Sequence, residues 1–198
     1  MQRLLLIVDS VSAFFGKIFS WAIVILTLIT CYDVTMRYVF ASPTNWAYDV
    51  SYMLYGTLFM MTGAYTLSRN GHVRGDVLYG FFKPRWQAGL DLVLYFAFFL
   101  PGILALSYAG VAFAEASWEI KEASSVVADG PPIYPYKTLI PIAGCLVLLQ
   151  GLAEITRCVI CLKSGDWPQR LHDVEEVNVE AMKKDLHITD DLAQGAAK

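Results

Sequence analysis

Cys158-x-x-Cys161, three histidines and a few carboxylates are the groups in this chain that could do chemistry. A Cys-x-x-Cys pair is the spacing of a thiol redox couple, because one thiolate attacks a disulfide and its neighbour resolves the mixed intermediate. A membrane disulfide oxidase would need such pairs on the periplasmic side. The chain has one pair, near the end of its last apolar run, and no second pair to relay to. Zinc needs four ligands in a closed site, and one Cys-x-x-Cys supplies two. Haem would need histidines inside apolar runs, whereas His72, His172 and His187 all lie outside them. Asp33, Asp49, Asp91 and Glu154 fall near the ends of apolar runs, not at their centres. The helix breaker expected at mid-depth is Pro101-Gly102, with no polar cluster beside it in sequence, and the two halves show no internal repeat. A stand-alone transporter would need broken helices or buried charge at the midplane. Neither a catalytic set nor a solute site is expected.

The elements that carry these residues are set by hydropathy. Of 198 residues, 56% are apolar and 17% charged, against about a quarter charged in soluble domains. Val50 to Leu67 and Leu92 to Ala114 contain no charge at all. Crossing a bilayer takes about 20 mostly apolar residues. The expected fold is therefore an all-α integral membrane protein with four transmembrane helices, at about 18–40, 46–67, 86–117 and 137–161. Together they form a domain over about 17–162. Residues 1–16, with Arg3 and Asp9 interrupting an apolar stretch, are expected as an amphipathic helix lying in the membrane interface; the alternative is an extension of the first span. Residues 163–198 form an acidic cytoplasmic tail, expected to be disordered or loosely helical. The four cysteines lie in or beside apolar helices and do not form the framework of a secreted disulfide protein.

Positive charge sets the orientation. Arg3, Lys17, Arg69, Arg74, Lys83, Arg85, Arg157, Lys163 and Arg170 lie on one side; Arg37, Lys121 and Lys137 lie on the other, among Glu115, Glu119, Glu122 and Asp129. Both termini and the 69–85 loop are expected in the cytoplasm, and the acidic 115–136 segment in the periplasm. Asp33 and Arg37, one turn apart, are expected either as an anchoring ion pair or as a contact to a partner helix. Trp46, Tyr48, Tyr52 and Tyr55 form an aromatic belt. Gly56 and Gly63, seven residues apart, share a face that lets another helix approach. Pro101-Gly102 predicts a kink in the third span. Gly71 and His72 are expected to end the second span, and His72 to cap it or to make a polar contact with a partner.

From Met36 to Asp76 the chain reads MRYVFASPTNWAYDVSYMLYGTLFMMTGAYTLSRNGHVRGD. The order is an arginine, a Pro link, a tryptophan, an acid, a membrane-length run and then Gly-Ala-x(4)-Arg-x-x-His-Val-x-x-Asp. Over about 17–162 it closely resembles the small membrane subunit of TRAP transporters (tripartite ATP-independent periplasmic, DctQ type). Asp49 stands where that family usually has Glu, and Gly75 where it has a β-branched residue. The resemblance implies a non-enzymatic subunit that widens and anchors the static scaffold of a large permease in the bacterial inner membrane. The large permease subunit holds the solute and sodium sites and moves as an elevator, and a periplasmic solute-binding protein delivers an organic acid. No cofactor of the chain's own, no metal and no nucleic-acid partner is implied; membrane lipids are. Arg37, Trp46, Asp49, Gly56, Gly63, Arg69, His72, Arg74 and Asp76 are the candidate structural or partner-contact residues. The alternative is a four-span redox enzyme or adaptor built on Cys158 and Cys161.

Overall fold

The computed structural model describes residues 2–71, 79, 82–126, 130–168 and 170–171. His72, Arg74 and Asp76, and the tail from 172 on, lie outside them. Among the described residues the regular structure is helical, apart from one isolated antiparallel bridge between Ala123 and Pro132.

The first rod is two helices, α1 (Gln2–Ser20) and α2 (Ala22–Tyr38), joined by a turn at Trp21. α1 packs on the next helix, α3 (Ala47–Ser68), and to a lesser degree on the last. Its amphipathic pattern is present but inverted for a helix resting on water. Leu4, Ile7, Val11, Phe14 and Ile18 point outward, while Asp9, Ser12 and Gly16 are buried against protein. Asp9 and Ser12, expected to meet water, meet protein instead, while Arg3, Ser10 and Lys17 stay exposed. In lipid an outward apolar face is the inexpensive one, so these two polar residues turn in.

α2 stops where expected, at the Ser42-Pro43 link. Ala41 takes a left-handed φ of 51° and Ser42 N–H donates back to Met36 O at 3.0 Å. α3 begins after Trp46 and ends at Arg69. Its left-handed terminal residue is Asn70 (φ 56°), not Gly71; the Gly71 N–H then closes onto Thr66 O at 2.9 Å. Asn tolerates this conformation nearly as well as Gly, because its short amide can bond locally.

A single 36-residue rod runs from Pro84 to Glu119. It consists of α4 (Pro84–Leu94, with proline in its first turn), a π-helical turn at Tyr95–Phe99, and α5 (Leu100–Glu119). The irregularity expected at Pro101-Gly102 appears one turn earlier. Pro101 has no N–H for the preceding turn, and the Leu100 N–H reaches back five residues to Tyr95 O. The widened turn directs Phe99 onto Gly151, where a Cβ would overlap the ring.

After Lys121 (φ 46°) the acidic and Pro-rich segment folds back on itself. Ser124 N–H donates to Pro131 O and Ile133 N–H to Glu122 O, both at 2.9 Å. A short helix, α6 (Tyr134–Lys137), leads into α7 (Leu139–Ser164), which stops at Gly165 in the left-handed conformation (φ 92°).

Three of these helices are long and apolar enough to cross a membrane: Gln2–Tyr38, Pro84–Glu119 and Tyr134–Ser164. α3 has the length, at 22 residues, but carries four tyrosines where each of the other three carries two, and five serines and threonines besides. Its hydroxyls turn onto its own preceding turns. Thr57, Thr62 and Thr66 donate to the carbonyls of Met53, Leu58 and Thr62, so their polarity is satisfied inside the helix. The core on the α4 side gathers Leu67, Ala88, Tyr95, Ile155, Cys158 and Cys161.

Candidate functional site

The motif residues divide between the two ends of α3. At its start, Trp46 stacks on Tyr32 of α2, with ring centroids 6.3 Å apart. Arg37 donates to Asp33 at 3.0 Å, and the other Asp33 oxygen accepts from the Thr44 N–H at 3.1 Å and from the Thr44 hydroxyl. The pair thus fastens the end of α2 to its link. Asp49 is buried in the first turn of α3; its Oδ1 accepts from Ser124 Oγ at 2.9 Å, and its Oδ2 has no hydrogen-bond partner among the described residues.

The folded-back segment is held from several directions. Ser117 Oγ donates to Glu122 Oε2 at 2.7 Å, and Lys137 pairs with the same carboxylate. The hydrogen bond from Lys137, then that from Ser117, holds the Glu122 carboxyl below the usual range. Lys137 Nζ also sits 4.0 Å from the centre of the Phe113 ring. Trp118 Nε1 donates to Thr138 Oγ1 at 2.8 Å. Asp49, Glu122 and Lys137 thereby tie α3, α5 and α6 together at one end of the bundle.

Gly56 and Gly63 do share a face, turned toward α6 and α7. A Cβ on Gly56 would overlap the Tyr136 hydroxyl, whereas one on Gly63 would meet Val147 at an ordinary 3.5 Å. At the far end of α3 the Arg69 guanidinium lies over the Tyr65 ring, 5.1 Å from its centre. Among the described residues the motif extends no further than Gly71 at this end.

The feature that sequence reasoning missed is a charged cluster buried between the two ends of the chain. Arg157 of α7 donates to Asp9 of α1 at 2.6 Å and also pairs with Glu154. The second Glu154 oxygen accepts from Arg170 at 2.6 Å. Gln150 donates to Asp9 at 2.9 Å and accepts from Ser12 at 2.8 Å. Asp9, Glu154 and Arg157 are each at most 2% exposed. Two signals for it stood in the sequence: Asp9, Ser12 and Gly16 at one-face helical spacing, and Gln150 inside an apolar run. Charge near the span ends was expected; charge buried and shared between α1 and α7 was not.

Cys158 and Cys161 are buried where α7 meets α4, and Cys161 Sγ lies 3.6 Å from Pro84 O. No group of three or more histidine, cysteine or acidic side chains placed to hold a metal occurs among the described residues. A cavity of about 500 Å³ opens between α3, α4 with its π turn, and α7, walled mainly by Leu67, Leu94, Phe98, Phe99 and Val147, with Asn70 and Asp91 at its polar end. Tyr79 donates to Asp91 there at 2.7 Å.

Among the described residues the charges of the cluster pair with one another, and the cavity is walled mainly by apolar side chains. A family model for the tripartite ATP-independent periplasmic transporters, DctQ component, matches residues 26–160. The chain belongs to the DctQ family. It is a small membrane subunit of a TRAP transporter, from a family of transporter components and not of enzymes. No curated protein sequence matches closely enough to serve as a relative. The DctQ match covers the motif, the glycine face and the Gln150–Glu154–Arg157 part of the cluster. Asp9 and Arg170, which complete the cluster, lie outside it on either side.

Proposed function

We propose that this DctQ subunit spans the inner membrane four times and serves as a fixed scaffold for the large permease of its transporter. The large permease couples sodium to the uptake of an organic acid brought by a periplasmic binding protein. The chain itself holds neither solute nor sodium. The first span is the α1–α2 rod, the second α3, the third the Pro84–Glu119 rod and the fourth α7; an even number of spans puts both termini on one side, and the excess of arginine and lysine there makes it the cytoplasmic one. α3 counts as a span because its hydroxyls bond within the helix and its flanks are covered by α1, α2 and α7.

The observation that carries the reading is how the charge is used. Asp9, Glu154, Arg157 and Arg170 are paired with one another, as are Asp33 with Arg37 and Glu122 with Lys137. Among the described residues lining the 500 Å³ cavity there is no arginine, lysine or histidine to meet a carboxylate. A site for an organic acid needs such groups, because a buried carboxylate without a partner costs several kcal/mol or more. What the bundle offers outward is apolar: Leu28, Phe59, Val93, Phe96, Phe98 and Tyr108 all face away from the core. That is a surface for lipid and for another membrane subunit.

The test is assembly against transport. Arg69→Ala combined with Asp76→Ala should weaken co-purification with the large permease. Uptake should fall in proportion to the complex recovered, and the apparent substrate affinity should stay unchanged. Full assembly with altered substrate affinity would place the motif in transport itself.

A further inference from the structure

The cluster's four charges are not held alike. Asp9, Glu154 and Arg157 sit on helices α1 and α7, but Arg170 sits beyond the Gly165 stop, on a stretch that is not helical. That stretch is docked at two places. Trp167 packs against the α4–α7 core and its Nε1 donates to Gln87 Oε1 of α4 at 3.3 Å. Arg170 then crosses to Glu154 at 2.6 Å, with its side chain 8% exposed.

Among the ion pairs of the described residues, two carboxylates here face two guanidiniums. Take Arg170 away and two buried carboxylates share one guanidinium, which is the costly case of an uncompensated buried charge. α7 cannot easily rearrange, since Glu154 and Arg157 are one turn apart on it. α1 can, because Asp9 is its main charged tie to α7 among the described residues and its outer face is already apolar.

We infer that the described residues 165–168 and 170–171 act as a detachable strap, and that Arg170 in its socket is what keeps α1 seated against α7. A displacement of the strap is thereby felt at α1. The N-terminal helix and the strap lie outside the 26–160 match. Lys17 and Arg69 border a small cavity of about 20 Å³ beside Asp9, together with Leu171. When α1 parts, that cavity is the way water reaches the carboxylate.

Charge arithmetic makes the test specific. Hydrogen exchange is followed on the full chain in detergent for Arg170→Gln, Arg170→Lys and the double variant Glu154→Gln/Arg170→Gln. Arg170→Gln should speed exchange across Gly165–Leu171 and also across Gln2–Gly16, the latter by about tenfold or more. The double variant restores neutrality, with Asp9 against Arg157. It should therefore return α1 to near wild-type protection while the strap stays open. Arg170→Lys should behave as wild type at α1. Unchanged α1 exchange in Arg170→Gln, or a double variant no better protected than the single, would overturn the inference. If Arg170→Gln yields no folded chain, recovery of both the double variant and Arg170→Lys supports it, and loss of both overturns it.

Discussion

Arg157 on α7 donates to Asp9 on α1 at 2.6 Å across 148 positions of sequence, and neither side chain is more than 2% exposed. Breaking one half of such a pair leaves a charge in a place with no water to take it. Replacing both by apolar groups removes the desolvation cost along with the attraction. Arg157→Met alone should cost about 3–5 kcal/mol of stability. Asp9→Leu with Arg157→Met should recover most of that loss, because Glu154 and Arg170 remain a neutral pair. Thermal melting of the purified chains would check this; equal losses in the single and double variants would mean that the pair is not what holds α1.

The two glycines of α3 should respond oppositely to alanine. At Gly56 the added methyl overlaps the Tyr136 hydroxyl, so α6 must shift; the cost is expected at about 1–3 kcal/mol. Tyr136→Phe in the same chain should return at least half of it by clearing the space. At Gly63 the methyl meets Val147 at 3.5 Å, and alanine's helix propensity favours it by up to about 1 kcal/mol. Melting temperatures of the three chains decide between this and a uniform small-residue requirement.

The long helices were legible because apolar runs are long and their punctuation is strong. α2 ends at the Ser42-Pro43 link, α4 starts on Pro84, α7 stops at Gly165. α1 was legible as amphipathic but not in its direction. The same Leu4–Ile7–Val11–Phe14 stripe serves a helix with its polar side in water and one with its polar side in protein, and only the packing on α3 and α7 separates the two. Asn70 displaced Gly71 as the helix-ending residue because both tolerate the left-handed backbone and local sequence does not rank them. Of the candidate site, Asp49, Gly56 and Arg69 make their described contacts within the chain, while Asp9, Gln150 and Arg170 gained their meaning from partners about 140 and 16 positions away.

Glu122 supplies a pH signature at the end of the bundle away from the cluster. Its carboxyl titrates below the ordinary range because Lys137 and Ser117 bond its charged form. A depressed folded-state value means that the contribution is complete above the unfolded value and is lost as pH falls through the folded one. Protection of the Ser124 and Ile133 amides should therefore weaken as pH drops below about 4. Glu122→Gln should lower that protection at neutral pH and remove most of its acid dependence. A parallel acid response in the variant would assign the effect to another group.

Orientation is the expectation on which the scaffold role depends. Nine arginines and lysines on one side against three on the other predict the fold-back in the periplasm and α7's end in the cytoplasm. Ser125 is exposed within that fold-back, and Cys31 and Cys145 are exposed on helix surfaces, so the background must be cysteine-free. A cysteine at Ser125 should react with a membrane-impermeant maleimide in intact spheroplasts, and one at Ser164 only after lysis. Both outcomes are required together, since Ser125 and Ser164 lie at opposite ends of the fourth span. The reverse pattern would put the acidic fold-back in the cytoplasm, where a periplasmic binding protein never meets it. Labelling of both from outside would mean that α7 does not cross, and the four-span scaffold would fall with it.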